Sequence, residues 1–591
     1  MASASPSTLP RAREQLDGRD QGPTPESERP VMTGSQITCA SLEAEGVTTV
    51  FGYPGGAVIP LYDALPRSNL HHVLVRFEQW AALAADGYAR ATGKVGVCMA
   101  TSGPGATNLI TGLANAQLDS VPVVAITGQV VQPLIGRDAF QEVDITGISL
   151  PVTKHNYLVT DPADIASTIK EAFFLARTGR PGPVLVDISK SAFIASAPFQ
   201  YPASVGRRGY QPSMLPNMRQ VRLAAELINQ AKKPLIMAGH GIMLSGGEEI
   251  FARFVERTGI PVMFTLLGQG SFPESHPLAL GLMGMHGHRH VNEALAESDL
   301  LVNIGARFDD RATGKIDGFA SKARVVHVDI DPAEIGKNVK TDVPVVGDAR
   351  EVLKVLIHEV EHRRHDDWLA WIDSQRNRVL ERALEDRPDW PEPYGIIKAI
   401  AAATNGAAIY TTDVGQHQMW AAQHLGLDHP NRWLTSGGLG TMGYGLPAAV
   451  GAKIGRPDME VWAIVGDGGF QMSFNELATA AQEGLDINVA VINNGYLGMV
   501  RQWQDLFHAK NYSEVEISAP DFVKLAEAFG ITGIRVRKDE EIMPAIEQAR
   551  RTKGPVVIDF VIEPEANVWP IVPPGASNSD MMHNRYQDPD A

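Results

Sequence analysis

A chain of 591 residues is too long for one hydrophobic core, so about three or four domains are expected. Its net charge of −16 lacks the basic face that nucleic acid requires, and its two cysteines, Cys39 and Cys98, make neither a disulfide framework nor a cysteine metal cluster. No apolar run approaches a membrane span, and the cysteine usage fits a cytoplasmic location, so neither membrane nor nucleic acid is an expected partner.

Residues 1–30 are rich in Ser, Pro and charge and read as a disordered tail. Glu14, Asp17, Asp20, Glu26 and Glu28 speak against a transit peptide. From residue 31 to 196, helical stretches alternate with short strand-like runs such as "TTVFGYPGG", "VGVCMATSGPG", "VPVVAITGQ" and "GPVLVDISK", which predicts βαβ units around a parallel sheet. Within this block "VRFEQWAALAADG" puts Glu78 at the head of an apolar helix. Taken alone, that is an ordinary helix-start acid favoured by the macrodipole. A Pro-rich linker is expected at 197–216, and a second α/β block with "KPLIMAGHG", "LLVNIGARF" and "ARVVHVDID" at 217–375. A second linker at 376–393 contains "RPDWPEP"; a third α/β block follows at 394–564 and a C-terminal tail at 565–591. "GPVLVDI" near the end of the first block returns as "GPVVIDF" near the end of the third, so these two read as copies of one fold around a different middle domain.

In the third block, "VGDGGFQMSFNELATAAQEGLDINVAVINNGYLGMV" places Asp467 and Asn494 at the ends of successive strands, with a helix expected from about Phe474 to Gly484. Hard oxygen donors beside glycines that admit a phosphate suit Mg²⁺, which fills its octahedral shell with diphosphate oxygens. The bland alternative is a pair of βα turns. "GLGTMG" at Gly438–Gly443, with Asp458 beyond it, satisfies a dinucleotide fingerprint. A lone match of this kind is weak, and backbone approaching the same ligand is the better reading.

The GDG…NN segment resembles the thiamine-diphosphate motif. "GYPGGAVIPLYD", "TSGPGATNLITGLANAQLDSVPVVAITGQV", "DAFQEVDITGI", "GARFDDRATGKI", "TSGGLGTMGYGLPAA" and "NNGYLGMVRQWQ" together resemble the catalytic subunits of the acetohydroxyacid (acetolactate) synthase family, over most of the chain. That resemblance implies pyrimidine-binding and diphosphate-binding α/β domains flanking a Rossmann-like, FAD-associated middle domain. The reaction implied is decarboxylation of pyruvate and transfer of the hydroxyethyl unit to pyruvate or 2-oxobutyrate. The family's FAD is structural rather than redox-active. A homodimer or homotetramer with active sites between subunits is implied, and a small regulatory subunit is plausible.

By the same resemblance, Asp467, Asn494 and the carbonyl of Tyr496 are the magnesium ligands, and Glu78 hydrogen-bonds N1′ of the cofactor. Tyr53, Pro54, Gly55 and Gly56 approach the reaction centre, and Phe140, Gln141 and Lys190 line the substrate channel. Val414, Gly415, Gln416, His417, Gly440, Met442, Gly466, Gly468, Gly469, Leu497, Gly498, Met499 and Val500 are cofactor-binding, with Met442 holding the thiamine's bend and Met499, Val500 and Trp503 shaping the second-substrate pocket. Arg311 pairs with the acceptor carboxylate and Trp503 favours 2-oxobutyrate. Around FAD the resemblance places Gly239, Gly241, Thr265, Leu266, Met285, His286, Gly287, Gly305, Ala306, Arg307, Asp309, Arg311, Asp329, Ile330, Asp348 and Ala349.

The chain departs from the family pattern at Phe77 and Leu83, where His is usual, and at Trp80, where a small residue is usual. "DISKS" and Arg137 also differ from the common form. An extra indole at Trp80 costs roughly 1–3 kcal/mol unless its neighbours shrink. Two other readings stay open at this point: another thiamine-dependent 2-oxoacid decarboxylase or oxidase, and a non-catalytic cofactor-binding paralogue.

Overall fold

Alternation of buried Val/Ile runs with helices produces three six-stranded, all-parallel sheets in the computed structural model, which describes residues 29–206, 209–212, 214–380 and 390–583. The expected tail at 1–30 lies almost wholly outside the described residues, as does much of the linker at 376–393. The first sheet uses strands Thr49–Gly52, His71–Leu74, Gly96–Ala100, Val123–Gln129, His155–Val159 and Val184–Ser189. The third uses Ile409–Thr412, Trp433–Leu434, Val461–Gly466, Ile487–Asn493, Thr532–Val536 and Val556–Val561. Numbered within each domain, both sheets run 2-1-3-4-6-5. The repeat seen in the sequence is therefore structural: "GPVLVDI" and "GPVVIDF" each supply the sixth strand.

The middle sheet is built from Pro234–Ala238, Val262–Phe264, Ala279–Leu282, Leu300–Ile304, Arg324–Asp329 and Val343–Val346, in the order 3-2-1-4-5-6. This is the doubly wound order, which opens a ligand crevice beyond the carboxyl ends of strands 1 and 4, where the order reverses.

The first and third domains meet through helices Glu78–Thr92 and Gly445–Gly455. Their backbones approach so closely that a Cβ at Gly451 would fall 1.8 Å from the carbonyl oxygen of Ala84. Alanines and glycines at the seam make that contact possible, and the whole stretch from Trp80 to Ala91 is buried.

Three boundaries differ from the sequence reading. Ser196–Pro198 pairs antiparallel with Val31–Thr33, and Tyr201 and Tyr210 donate to Glu45 (2.7 Å) and the Thr178 carbonyl (2.7 Å), so the expected linker is strapped to the first domain. Helix Asp366–Leu380 runs through the expected break at 375, and Trp368 anchors it by donating to the Pro234 carbonyl. The expected C-terminal tail buries Val568, Ile571 and Val572 and bonds to Ala312 through Asn578 (2.9 Å). Residues 584–591 lie outside the described residues.

Candidate active site

The third sheet builds the first half of the site. Gly466 is extended and the chain turns at once into helix Asp467–Ser473, seven residues earlier than the sequence suggests, because GDGG reads as loop while its backbone is already helical. Phe474–Glu476 and Leu477–Gln482 continue it. Asp467, 2% exposed, accepts from the Gly495 amide (2.8 Å). On the adjacent strand Asn494 accepts from the Tyr496 amide (3.1 Å) and donates to Gln416 (3.2 Å). A Cβ at Gly469 would lie 2.2 Å from Asp413 Oδ2, so glycine is required there.

Burial pushes the Asp467 carboxyl up to about 7, and Asp413 likewise up to about 7. Among the described residues, buried Asp413 Oδ2 and His417 Nε2 find no hydrogen-bond partner. A carboxylate, a carboxamide oxygen and a carbonyl beside glycine walls and unsatisfied polar atoms fit a Mg²⁺–diphosphate unit, whose cation relieves the burial of the acid. The small cavity here is lined by Val414, Gly415, Gln416, His417, Met442, Gly466, Asp467, Gly468, Gly469, Asn494, Tyr496, Leu497, Gly498, Met499 and Val500. Sequence reasoning missed Trp420 and Ile492 on the same wall.

A second cavity of about 990 Å³ opens at the junction of the three domains, outside the switch point of the middle sheet. Its size is at the upper end of the ~300–1,000 Å³ typical of small-molecule sites. Gly241, Thr265, Leu266, Met285, His286, Gly305, Ala306, Arg307, Asp309, Arg311, Asp329, Ile330, Asp348 and Ala349 line it, as do Gly440 and Trp503. These groups fit an elongated cofactor with an anionic centre and an aromatic end. Two expected FAD residues are not on this wall. A Cβ at Gly239 would fall 2.2 Å from the Gly305 carbonyl oxygen, and one at Gly287 would meet Met283 backbone at 2.4 Å, so both serve close backbone packing. Arg180 also lines the cavity, held by Asp331 (3.2 Å), Glu334 (2.7 Å) and Ser120 (2.9 Å); it comes from the first domain, and no local motif pointed to it.

Asp309 accepts from the amides of Arg311 (3.1 Å) and Ala312 (3.0 Å), capping a short helix and turning Arg311 outward. The Arg311 guanidinium lies 5.9 Å from the centre of the Trp503 ring, so the pair expected to read the acceptor does meet. Arg311 also lies 3.7 Å from Asp310, as a surface ion pair would. His286, held neutral by burial that takes it down to about 4, is bonded through Nδ1 to the Pro570 carbonyl (3.2 Å). His288 and His290 stack on each other at 5.7 Å. Among the described residues no group of three His, Cys, Asp or Glu converges as a metal site.

The first domain supplies a separate cluster. Phe77 is extended and Glu78 is the first residue of its helix, as the bland reading expects. Yet its Oε2 accepts from Asn108 (3.0 Å), and its Oε1 would lie 3.3 Å from a Cβ at Gly105. Gly55 packs on Thr101, and Gln141, at φ +58°, packs on Gly103, bringing these groups to the ends of the first and third strands. Phe140 is 88% exposed, Tyr53 is exposed and Lys190 is half-buried at the head of helix Lys190–Ile194. Tyr53, Pro54, Gly55, Gly56, Glu78, Phe140, Gln141 and Lys190 line neither cavity.

Trp80 finds its space between domains. At 4% exposure it donates from Nε1 to Asn475 Oδ1 (3.0 Å), meets Phe77 edge-on at 5.7 Å, and packs with Leu83, Tyr444 and Ala448. A Cβ at Gly443, where φ is +88°, would fall 3.0 Å from its ring. Small neighbours thus absorb the indole and remove the expected strain. Trp80→Ala is expected to cost about 3–5 kcal/mol, and Gly443→Ala about 1–3 kcal/mol, in urea unfolding; a loss below ~0.5 kcal/mol for both would contradict this packing account.

Comparison with known proteins follows the same division. Residues 32–148, 221–356 and 413–560 match the N-terminal, central and C-terminal domains of thiamine pyrophosphate enzymes, the two outer ones described as TPP binding domains. The acetolactate synthase large subunit of Corynebacterium glutamicum is 52% identical over 93% of this chain and 90% of its own length. The acetolactate synthase of Mycobacterium bovis is 51% identical over 94% of this chain and 92% of its own. A probable acetolactate synthase large subunit from Methanococcus aeolicus is 45% identical over 94% and 96%.

Proposed function

This chain belongs to the acetolactate synthase family of thiamine pyrophosphate enzymes, and from that premise we propose how its residues divide the work. The enzyme decarboxylates pyruvate and joins the hydroxyethyl unit to pyruvate or 2-oxobutyrate, giving 2-acetolactate or 2-aceto-2-hydroxybutyrate, the first common step of branched-chain amino-acid biosynthesis. Bound thiamine diphosphate supplies the electron sink for this chemistry.

Asp467, Asn494 and the Tyr496 carbonyl hold Mg²⁺ on the diphosphate, and Gly440 and Met442 face the thiamine. Glu78 holds a proton at the pyrimidine nitrogen, and its half-buried setting strengthens that hydrogen bond. Arg311 meets the acceptor carboxylate through its guanidinium fork, and FAD occupies the large cavity as a structural element. The observation that carries this reading is the convergence of Arg311 and Trp503 on a cavity wall that continues into the Asp467–Asn494 cradle.

Glu78 and Gln141 line neither cavity, so a second copy of the chain completes each site, as a homodimer or homotetramer. Exposed Tyr53, Ile59 and Phe140 on one domain, and Leu439, Met472 and Val500 on another, support such a contact. A small regulatory subunit is a further expected partner. No described helix is long and apolar enough to cross a membrane, and a cytoplasmic location is part of the proposal.

The test is product analysis with pyruvate and 2-oxobutyrate in competition, with and without FAD. The parent is expected to favour 2-aceto-2-hydroxybutyrate. Trp503→Leu is expected to lower that preference by roughly tenfold, within the ~1–3 kcal/mol that one methylene is worth in an apolar pocket. Equal products from parent and variant would remove the specificity role given to Trp503.

A further inference from the structure

Residues 435–444, which carry Gly440 and Met442 to the cavity, contain four glycines and form no helix or strand of their own. A segment of this kind is not held by its own ladder of bonds, so its position must be imposed from outside. Within the third domain Gln418 donates to Thr435 and Ser436 and Asp413 accepts from the Gly443 amide; the remaining restraints come from the first domain of the same chain. Asp119, the last residue of helix Ile110–Asp119, accepts from the Gly438 amide through Oδ1 (2.7 Å) and from the Gly437 amide through Oδ2 (3.0 Å). One turn earlier, Asn115 Oδ1 accepts from the hydroxyls of Ser436 (2.6 Å) and Thr441 (3.2 Å), and Ser436 Oγ accepts from the Thr441 amide (2.8 Å).

Arg90 closes the arrangement. It donates to Asp119 (2.8 Å), to Asp86 (2.7 Å) and to the Thr435 carbonyl (3.1 Å), while Tyr444 at the far end donates to Asp86 (2.7 Å). Asp86, Asn115 and Asp119 are buried, so these bonds operate with little competition from water. One cation between two buried acids, with neutral donors taking the remaining lone pairs, accounts for how the charges are tolerated at the seam.

We propose that Asp119 and Asn115 are positioning residues for the thiamine pocket: they fix the 435–444 segment so that Gly440 and Met442 stand at the cofactor wall. The first domain then shapes the diphosphate-side pocket of its own chain, while Glu78 on the same domain lines neither cavity. This rests on the thiamine reading given above.

Titration of the full-length apo-protein with thiamine diphosphate and Mg²⁺, read by the induced circular dichroism of the immobilised cofactor, tests it. In Asp119→Asn an amide must face one of two amide donors, and half-saturation is expected to rise about tenfold with a weakened dichroic band, while kcat at saturating cofactor stays within about threefold. Ser436→Ala, an uncharged change that removes two of the bonds, is expected to raise half-saturation about threefold. A merely structural role would lower the melting temperature and leave half-saturation of the folded protein where it was. Half-saturation within about twofold of the parent in every variant that folds would overturn the proposal. Absence of binding by the parent itself would overturn the thiamine reading together with it.

Discussion

Glu78→Gln is expected to lower acetolactate formation by about 10²–10³-fold, in the range that a positioned acid–base group contributes. The substitution is nearly isosteric, and a Gln carbonyl can still accept from Asn108, so the helix start and its neighbours keep their places. What is lost is the ability to hold a proton at the cofactor's ring nitrogen. Half-saturation by thiamine diphosphate is expected to move little, because the proposed grip on the diphosphate and Mg²⁺ lies in the other half of the site. Steady-state rates at saturating cofactor, beside a binding titration, separate the two effects. A rate within tenfold of the parent would return Glu78 to the role of an ordinary helix-start acid.

Asp467→Asn is expected to act on the opposite quantity. It removes the one negative charge among the three proposed Mg²⁺ ligands, in a place where burial pushes the carboxyl up to about 7. Half-saturation by Mg²⁺ is expected to rise at least 100-fold, beyond the ~10–100-fold that loss of an outer-shell partner costs. Activity should return partly at high metal concentration. The Gly495 amide still finds an oxygen acceptor, so the apo-protein should melt near the parent temperature. Unchanged metal dependence would break the assignment of Asp467.

Features encoded by local spacing were legible in the sequence. The duplicated domains showed in "GPVLVDI" and "GPVVIDF" because a buried sixth strand leaves the same run wherever it occurs. Asp467 and Asn494 were legible because strand ends separated by one helix lie side by side in a parallel sheet. The start of the helix at Asp467 was not, since glycines that make room for a ligand look like a turn on paper.

What the sequence withheld is long-range. Nothing near Asp119 announces that its carboxylate meets Gly437 and Gly438, and nothing near Trp80 announces that Gly443 and Asn475 make its seat. The segment 565–583 reads as a tail because Pro and Gly punctuate it, yet Val568 is buried in the core of the third domain and Asn578 bonds to Ala312 of the middle domain. Gly239 and Gly287, expected near FAD, do not line the large cavity, and each lets backbone approach backbone.

On the proposed division of work, Glu78 of one copy and Asp467 of another serve the same acetolactate-forming site. Co-expression of Glu78→Gln and Asp467→Asn chains, assayed at low Mg²⁺ where each alone is expected to be nearly inactive, tests it most directly. In a twofold assembly the mixed dimer carries one site with both changes and one with neither, so about a quarter of the parent rate should return on random pairing. No activity above that of the separate variants, in a preparation shown to contain the mixed dimer, would contradict it.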